Sequence, residues 1–264
     1  MNISGRREAG FTLVEIMIAA ALTAVVVGMG FSVMTSAQQI AQQQQEQSAA
    51  GRDGWAFVYR LSRELREGMP PGRLGEGAEW RGASASKKLL DTVSTAGWPE
   101  ASLELFKENK ESPLTVSSGT IRFCTLRVAS PNQRPAPGWI EYSLKGVDAK
   151  GHILDDLKEA FAVVIVRRSA PLGVSPDKKD EKGVITDVIT PSDPDSSLGF
   201  VSLGFQYLDA KGQWQTEWTD AKAMPRAVRV SVRTLVRPSR LNKAPVVNEY
   251  STLVYLPTDS RIPQ

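Results

Sequence analysis

The sequence predicts an α+β protein in which one long N-terminal helix packs on a largely antiparallel β-sheet. Three observations predict it. An apolar run begins abruptly at Phe11 and continues to about Met34; apolar residues recur at helical spacing from Trp55 to Leu65; and from about Thr120 to Leu256 the hydrophobic period shortens to two. With 264 residues and 41% hydrophobic composition the chain can bury one sizeable core and carry an extension besides.

The first element is the apolar run. Residues 1–10, MNISGRREAG, are polar and carry Arg6 and Arg7. By the positive-inside rule these arginines stay in the cytoplasm and the chain beyond the run goes outward. As a helix the run, roughly 24 residues at 1.5 Å each, reaches about 36 Å, enough to cross a hydrocarbon core of about 30 Å. Such an order also suits a cleaved secretory signal, with Ala19, Ala20, Ala21 and Ala24 offering a small-residue cleavage site, or a plain signal anchor. Glu15 argues against the secretory signal, because a carboxylate within a membrane segment costs about 2.5–3.5 kcal/mol and tends to be functional.

The segment Gly10-Phe11-Thr12-Leu13-Val14-Glu15, followed by Ile16-Met17-Ile18-Ala19, resembles the N-terminal motif of type IV prepilins and pseudopilins. The resemblance implies a type IV pilin-like fold. It also implies that a prepilin peptidase cuts after Gly10 and methylates the new amino group of Phe11. Glu15 then neutralises the Phe11 amine of a neighbouring subunit during assembly. The residues suit those roles physically. A freed amine next to an apolar helix is costly without a counter-charge, and a glycine keeps the chain slim at a protease cleft.

The helix is predicted to run on from about Thr12 to Glu67. Ser36–Gln47 is dominated by Gln and Ala, and Gln42–Gln45 reads as uncharged helix. Phe57, Leu61 and Leu65 form an i, i+4, i+8 stripe that can pack on a body, while Arg60, Arg63, Glu64 and Arg66 are expected to face water. Trp55, Phe57 and Tyr59 are read as core packing. Gly51 and Gly54 weaken the middle and allow a bend. Pro70-Pro71-Gly72 ends the helix.

Residues 70–100 are expected to be a loop region. Gly72, Gly75 and Gly77 superficially resemble a phosphate loop, but no apolar strand precedes them and no Lys-Ser/Thr follows. Strands are predicted at Thr120–Val128, Trp139–Leu144, Phe161–Val166, Val201–Leu208, Trp214–Trp218, Val228–Val236 and Tyr250–Leu256. Val201, Leu203, Phe205 and Tyr207 alternate with Ser202, Gly204 and Gln206, which predicts a half-buried strand, and Asp209-Ala210-Lys211-Gly212 turns it into the next. Ser175–Gly183 and Pro191–Ser197 read as surface loops.

Over residues 200–257 the order Phe205-Gln206-Tyr207-Leu208-Asp209, Gly212-Gln213-Trp214, Trp218, Met224–Val230 and Leu253–Pro257 is similar to the J-type minor pseudopilins of type II secretion. The helix end Arg60–Gly68 suits the W-type minor pilins of type IV pili better. The expected organisation is a leader at 1–10, a transmembrane helix at 11–34, an amphipathic periplasmic helix at 35–68 and a β-rich periplasmic domain at 69–264.

Little in the sequence points to catalysis, so no enzyme, cofactor or metal is expected. The single histidine, His152, sits beside Gly151 where a turn is expected, and with one cysteine it cannot build the usual His/Cys zinc sites. Cys124, in an apolar strand, is expected to be a buried structural thiol. Asp193 and Asp195 flank Pro194 and lack a supporting calcium-loop pattern. The net charge of +3 gives no reason to invoke nucleic acid.

One basic interval remains, from Lys222 to Lys243. Its Arg229, Arg233 and Arg237 share one face of a strand, and Val228, Val230, Val232 and Val236 the other. They read either as a solvated face or as a contact for an acidic partner subunit or anionic lipid. The expected partners are prepilin peptidase, other minor and major pilins or pseudopilins, the inner-membrane assembly machinery and membrane lipid. The expected location is the bacterial inner membrane and then a filament, near its tip.

Overall fold

The structure, a computed structural model, describes residues 12–74, 78–88, 115–128, 135–155, 157, 160–175, 183–192, 197–236 and 246–257. The chain divides into two compact units, Met1–Gln45 and Glu46–Gln264. Helix α1, Leu13–Arg66, begins in the first and ends in the second.

The helix starts where a reciprocal cap can form. The Thr12 hydroxyl accepts from the Glu15 backbone N–H at 3.3 Å, and the Glu15 carboxylate accepts from the Thr12 N–H at 2.9 Å. This is a capping box, which satisfies two amide donors left free at a helix start. The helix ends by tightening: Glu67 N–H bonds Glu64 O and Gly68 N–H bonds Leu65 O. Gly68 is required there, since a Cβ would lie 2.8 Å from both Leu65 O and the Trp80 ring. Pro70 and Pro71 follow and open a short 3-10 turn, Pro71–Arg73.

Among the described residues ten strands follow: β1 (Arg81–Lys88), β2 (Thr115–Val128), β3 (Ala136–Val147), β4 (Ile153–Leu154), β5 (Ala162–Pro171), β6 (Ile185–Ile189), β7 (Ser197–Leu208), β8 (Trp214–Gln215), β9 (Ala227–Val236) and β10 (Val246–Tyr255). Their order is β1-β2-β3-β5-β7-β9-β10, with β4, β6 and β8 pairing off that path. Every long ladder is antiparallel. Two single parallel pairs, Ser118 with Leu203 and Val163 with Gly199, tie β7 to β2 and β5. The expected α+β class holds, and all seven predicted strands are present, the one expected at Trp214–Trp218 only as β8 and an isolated bridge from Trp218 to Gly82.

Three strands depart from the sequence reading. Strand β1 lies inside the stretch expected to be a loop; its sequence, Arg-Gly-Ala-Ser-Ala-Ser-Lys-Lys, has no β-branched or aromatic residue, and its form comes from pairing with β2. Strands β4 and β6 are short and likewise rest on their partners β3 and β5. Strand β7 is also more buried than alternation suggests. Ser202 accepts a hydrogen bond from the Ser117 N–H at 2.8 Å, and a Cβ on Gly204 would meet Ser231 Oγ at 2.6 Å, so neighbouring strands cover its polar face.

The core lies between the C-terminal part of α1 and the sheet. Phe57, Val58, Leu61 and Leu65 of the helix join Ile121, Phe123, Ile140, Tyr142, Leu203, Phe205, Tyr207, Val230 and Val232 in one buried cluster. Phe57 meets the rings of Tyr142 and Phe200, each 5.7 Å away. The stripe expected at Phe57, Leu61 and Leu65 is thus the packing face. Trp55 and Tyr59 are not in it: they are exposed, at 58% and 73%. Gly51 and Gly54 serve close approach rather than looseness, because a Cβ on Gly54 would lie 2.2 Å from the Tyr250 ring.

Candidate functional site

The N-terminal segment is the first candidate. Gly10, Phe11, Arg6 and Arg7 lie outside the described residues, so the structure begins at the Thr12–Glu15 cap. From Leu13 to Gln42 the helix is apolar enough to cross a membrane, and none of that stretch is buried by the chain. At 1.5 Å per residue, 30 residues span about 45 Å, more than a hydrocarbon core requires. Within it Thr23, Thr35 and Ser36 turn their hydroxyls back onto backbone carbonyls of the preceding turn. That satisfies three hydroxyl groups on a largely apolar surface. Glu15 remains as the carboxylate in the first turn.

A second candidate was not foreseen. Glu64, expected to face water, accepts from the Tyr142 hydroxyl at 2.8 Å and pairs with Arg167 Nε at 3.1 Å. Its side chain and that of Arg167 are each 12% exposed. Asp187 of β6 completes the group, bonding Arg167 at 3.2 Å and Arg60 at 3.3 Å. Burial works against charge on Arg167, but Glu64 and Asp187 outweigh it and raise its pKa above the ordinary arginine value. Burial, with the Glu64 charge beside it, raises that of Tyr142 as well. This cluster joins α1 to β3, β5 and β6 and fixes the helix on the sheet. The signal in the sequence was an acidic residue, Glu64, one position from the Leu65 core stripe.

A similar network lies on the outer side of β1, β2 and β3. Arg122 bonds Glu79 at 2.8 Å and Glu141 at 2.6 Å, and Arg81 pairs with Glu79 at 2.8 Å. Arg122 and Arg168 both lie 5.9 Å from the Trp139 ring. A cleft of about 590 Å³ opens beside these residues, bounded by Gly82, Thr120, Glu217 and Trp218. The arginines at its centre are already paired with Glu79 and Glu141.

The remaining sequence candidates are placed as follows. Cys124 is buried, as expected; its Sγ accepts from the Glu79 N–H at 3.0 Å, and burial pushes its pKa up to about 11. His152 is exposed in a turn and lies 2.9 Å from Asp148. Asp193 and Asp195 lie outside the described residues, among which no three His, Cys, Asp or Glu are grouped to hold a metal. On β9, Val228, Val230, Val232 and Val236 are buried and Arg229 and Arg233 face outward, as the alternation requires. Both arginines are engaged within the chain. Arg229 lies 4.6 Å over the Trp214 ring and donates to Gln206, and Arg233 pairs with Glu249 of β10 at 2.9 Å. Arg237 lies outside the described residues.

Comparison with known proteins bears on the N-terminus. Residues 5–31 match the prokaryotic N-terminal methylation motif. No curated protein matches the chain. Among solved structures it is similar to a chain of the GspK-GspI-GspJ complex from the enterotoxigenic Escherichia coli type 2 secretion system, at 16% identity and a TM-score of 0.33, covering 76% of this chain and 96% of that one. The fold class rests on the helix and strand order of the chain itself, not on this likeness. The motif and the apolar helix together fit an inner-membrane anchor with the body on the periplasmic side. What the comparisons show of this chain is therefore its N-terminus: residues 5–31 carry the prokaryotic N-terminal methylation motif.

Proposed function

We propose that the protein is a minor pilin, a structural subunit that is processed by prepilin peptidase and helps to initiate or cap a type IV pilus filament. The observation that carries this reading is the methylation motif lying directly on an unburied apolar helix that opens with Glu15. In this reading the peptidase cuts after Gly10 and methylates Phe11. Arg6 and Arg7 hold the leader in the cytoplasm. Residues 11–34 then anchor the chain, 35–68 continue as a periplasmic helix and 69–264 form the body.

The chemistry follows from charge in an apolar setting. Cleavage creates a cationic amine at Phe11, and Glu15 supplies the only acidic group in the first turn of α1. An amine and a carboxylate brought together from neighbouring subunits neutralise each other where neither is well solvated. Their pairing sets the axial register of one helix against the next. Arg229, Arg233 and Arg237 are a subsidiary contact in this proposal, with Arg229 and Trp214 presenting a stacked pair on the outer face of β9.

Co-expression with prepilin peptidase, followed by N-terminal sequencing, tests the reading. A methylated Phe11 at the new N-terminus is expected. An intact Met1, or a cut near Ala21, would overturn it. Deletion in the native host then separates the machines: loss of surface pili and motility marks a pilus subunit, whereas loss of exoprotein secretion marks the J-type pseudopilin alternative.

A further inference from the structure

Arg229 and Arg233 of β9 are engaged within the chain, whereas α1 carries a group of arginines that, among the described residues, is not. Arg52, Arg63 and Arg66 of α1 have no carboxylate partner within ion-pair distance among the described residues. By contrast, Arg60, Arg81, Arg122, Arg167, Arg168 and Arg233 each pair with at least one acid. These three arginines share the helix face opposite Phe57, Leu61 and Leu65, and on that face stand Trp55 and Tyr59. Trp55, Tyr59 and Arg66 follow one another at helical intervals of four and seven.

The face is shaped as well as charged. Trp55, Val58, Tyr59, Ser62, Arg63 and Arg66, with Thr252 of β10, line a groove of about 200 Å³. Trp55 is held edge-on against Tyr250 at 5.4 Å, so it is set before any partner arrives. Arginines in a last turn complement the helix dipole, which accounts for Arg63 and Arg66 in part. It accounts neither for Arg52 nor for two large aromatic rings left in water. Trp, Tyr and Arg are the residue types that dominate binding hot spots.

We infer that this face of α1 is a docking groove for a carboxylate-bearing segment of a partner subunit, with an Asp or Glu entering between Arg63 and Arg66 and apolar atoms covering Trp55 and Tyr59. The occupant is chosen by charge complementarity, since the groove offers guanidinium groups and no described acid lines it. A protein is favoured over lipid because the groove sets two aromatic rings beside its guanidinium groups, the combination that dominates protein–protein hot spots. The choice of partner class rests on the proposed function, but the face does not.

The test uses the full chain in its native host with a photoreactive amino acid at Tyr59. Irradiation is followed by mass spectrometry of the adduct, and leader cleavage is scored in the same samples. The expected adduct is a peptide of another subunit bearing Asp or Glu, its yield falling at least about tenfold in R63E/R66E and persisting in R63K/R66K. A protein adduct that survives R63E/R66E unchanged, an adduct with phospholipid only, or no adduct at all overturns the inference. Because cleavage after Gly10 is read independently, a processed chain without an adduct refutes the groove alone, whereas an unprocessed chain refutes the prepilin reading.

Discussion

The Glu64 carboxylate on α1 lies 3.1 Å from Nε of Arg167 on β5, and both side chains are almost withdrawn from water. The helix therefore meets the sheet through a charged contact as well as through the Phe57, Leu61 and Leu65 stripe. The contact is directional where the stripe is not. Apolar packing tolerates small rotations, but the Tyr142 hydroxyl and the Arg167 guanidinium reach the same carboxylate from two strands and set the helix in one orientation.

Replacing Glu64 by Leu should destabilise the body by about 2–4 kcal/mol, because the Arg167 cation and the Tyr142 hydroxyl lose a shared acceptor in a poorly solvated place. Asp187 keeps part of the compensation for Arg167 and holds the loss toward the lower end. Adding Arg167→Met should recover much of it, since removing both partners costs less than orphaning one. Denaturant melts of the two variants decide the matter, and equal losses in both would deny the coupling.

Gly54→Ala tests the packing of the helix on β10. A glycine-to-alanine change within a helix ordinarily stabilises by roughly 1 kcal/mol. Here the added Cβ would lie 2.2 Å from Tyr250 Cε2 and 2.3 Å from Cδ2, so the sign should reverse, with a loss of about 1–3 kcal/mol. Tyr250→Ala in the same chain should relieve the clash. A double-mutant cycle by thermal melting then shows a coupling on the order of 1 kcal/mol, whereas additivity would mean that the ring simply moves aside.

These two contacts show what the sequence could and could not reveal. The alternation of Val228, Val230 and Val232 and the helical recurrence of Phe57, Leu61 and Leu65 state the buried face directly, because burial is what those patterns encode. Strand β1 was hidden because its small and polar residues acquire strand form from β2 and not from their own preference. Glu64 differs from its sequence reading for a related reason: a charged side chain gives no sign in sequence that its partners, Tyr142 and Arg167, are brought to it from 78 and 103 positions away. Arg229 and Arg233 were seen as a row, but Trp214 and Glu249 reach them only through the pairing of β7 with β8 and of β9 with β10. The N-terminal motif was legible because it is local.

Cys124 predicts an alkaline loss of stability. Its thiol is neutral when buried, and its pKa of about 11 lies above the 9.0 of a free thiol. Between those values the folded chain holds a proton that the unfolded chain has released, so stability is full below about pH 9 and declines as pH rises toward 11. The difference corresponds to roughly 2–3 kcal/mol. The buried tyrosines Tyr142 and Tyr207 shift in the same direction and steepen the fall. The useful quantity is therefore the difference between the wild type and Cys124→Ala. The variant should be less pH-sensitive between 9 and 11 in chemical denaturation, and parallel curves would remove Cys124 as the cause.

Glu15 has two roles that one substitution can separate. Its carboxylate closes the Thr12 cap in the structure, and in the proposed assembly it also neutralises a neighbour's Phe11 amine. Glutamine at this position keeps a carbonyl oxygen for the Thr12 N–H, since Gln serves in a capping box as Glu does, but it carries no charge. Glu15→Gln should therefore leave the helix and the cut after Gly10 intact while filament incorporation falls at least about tenfold. Alanine should lose the cap as well, at about 1 kcal/mol of local helix stability. N-terminal sequencing reports the cut, and the amount of subunit in sheared filaments reports assembly. Incorporation of Glu15→Gln at the wild-type level would show that the cap, and not the charge, is what the first turn supplies.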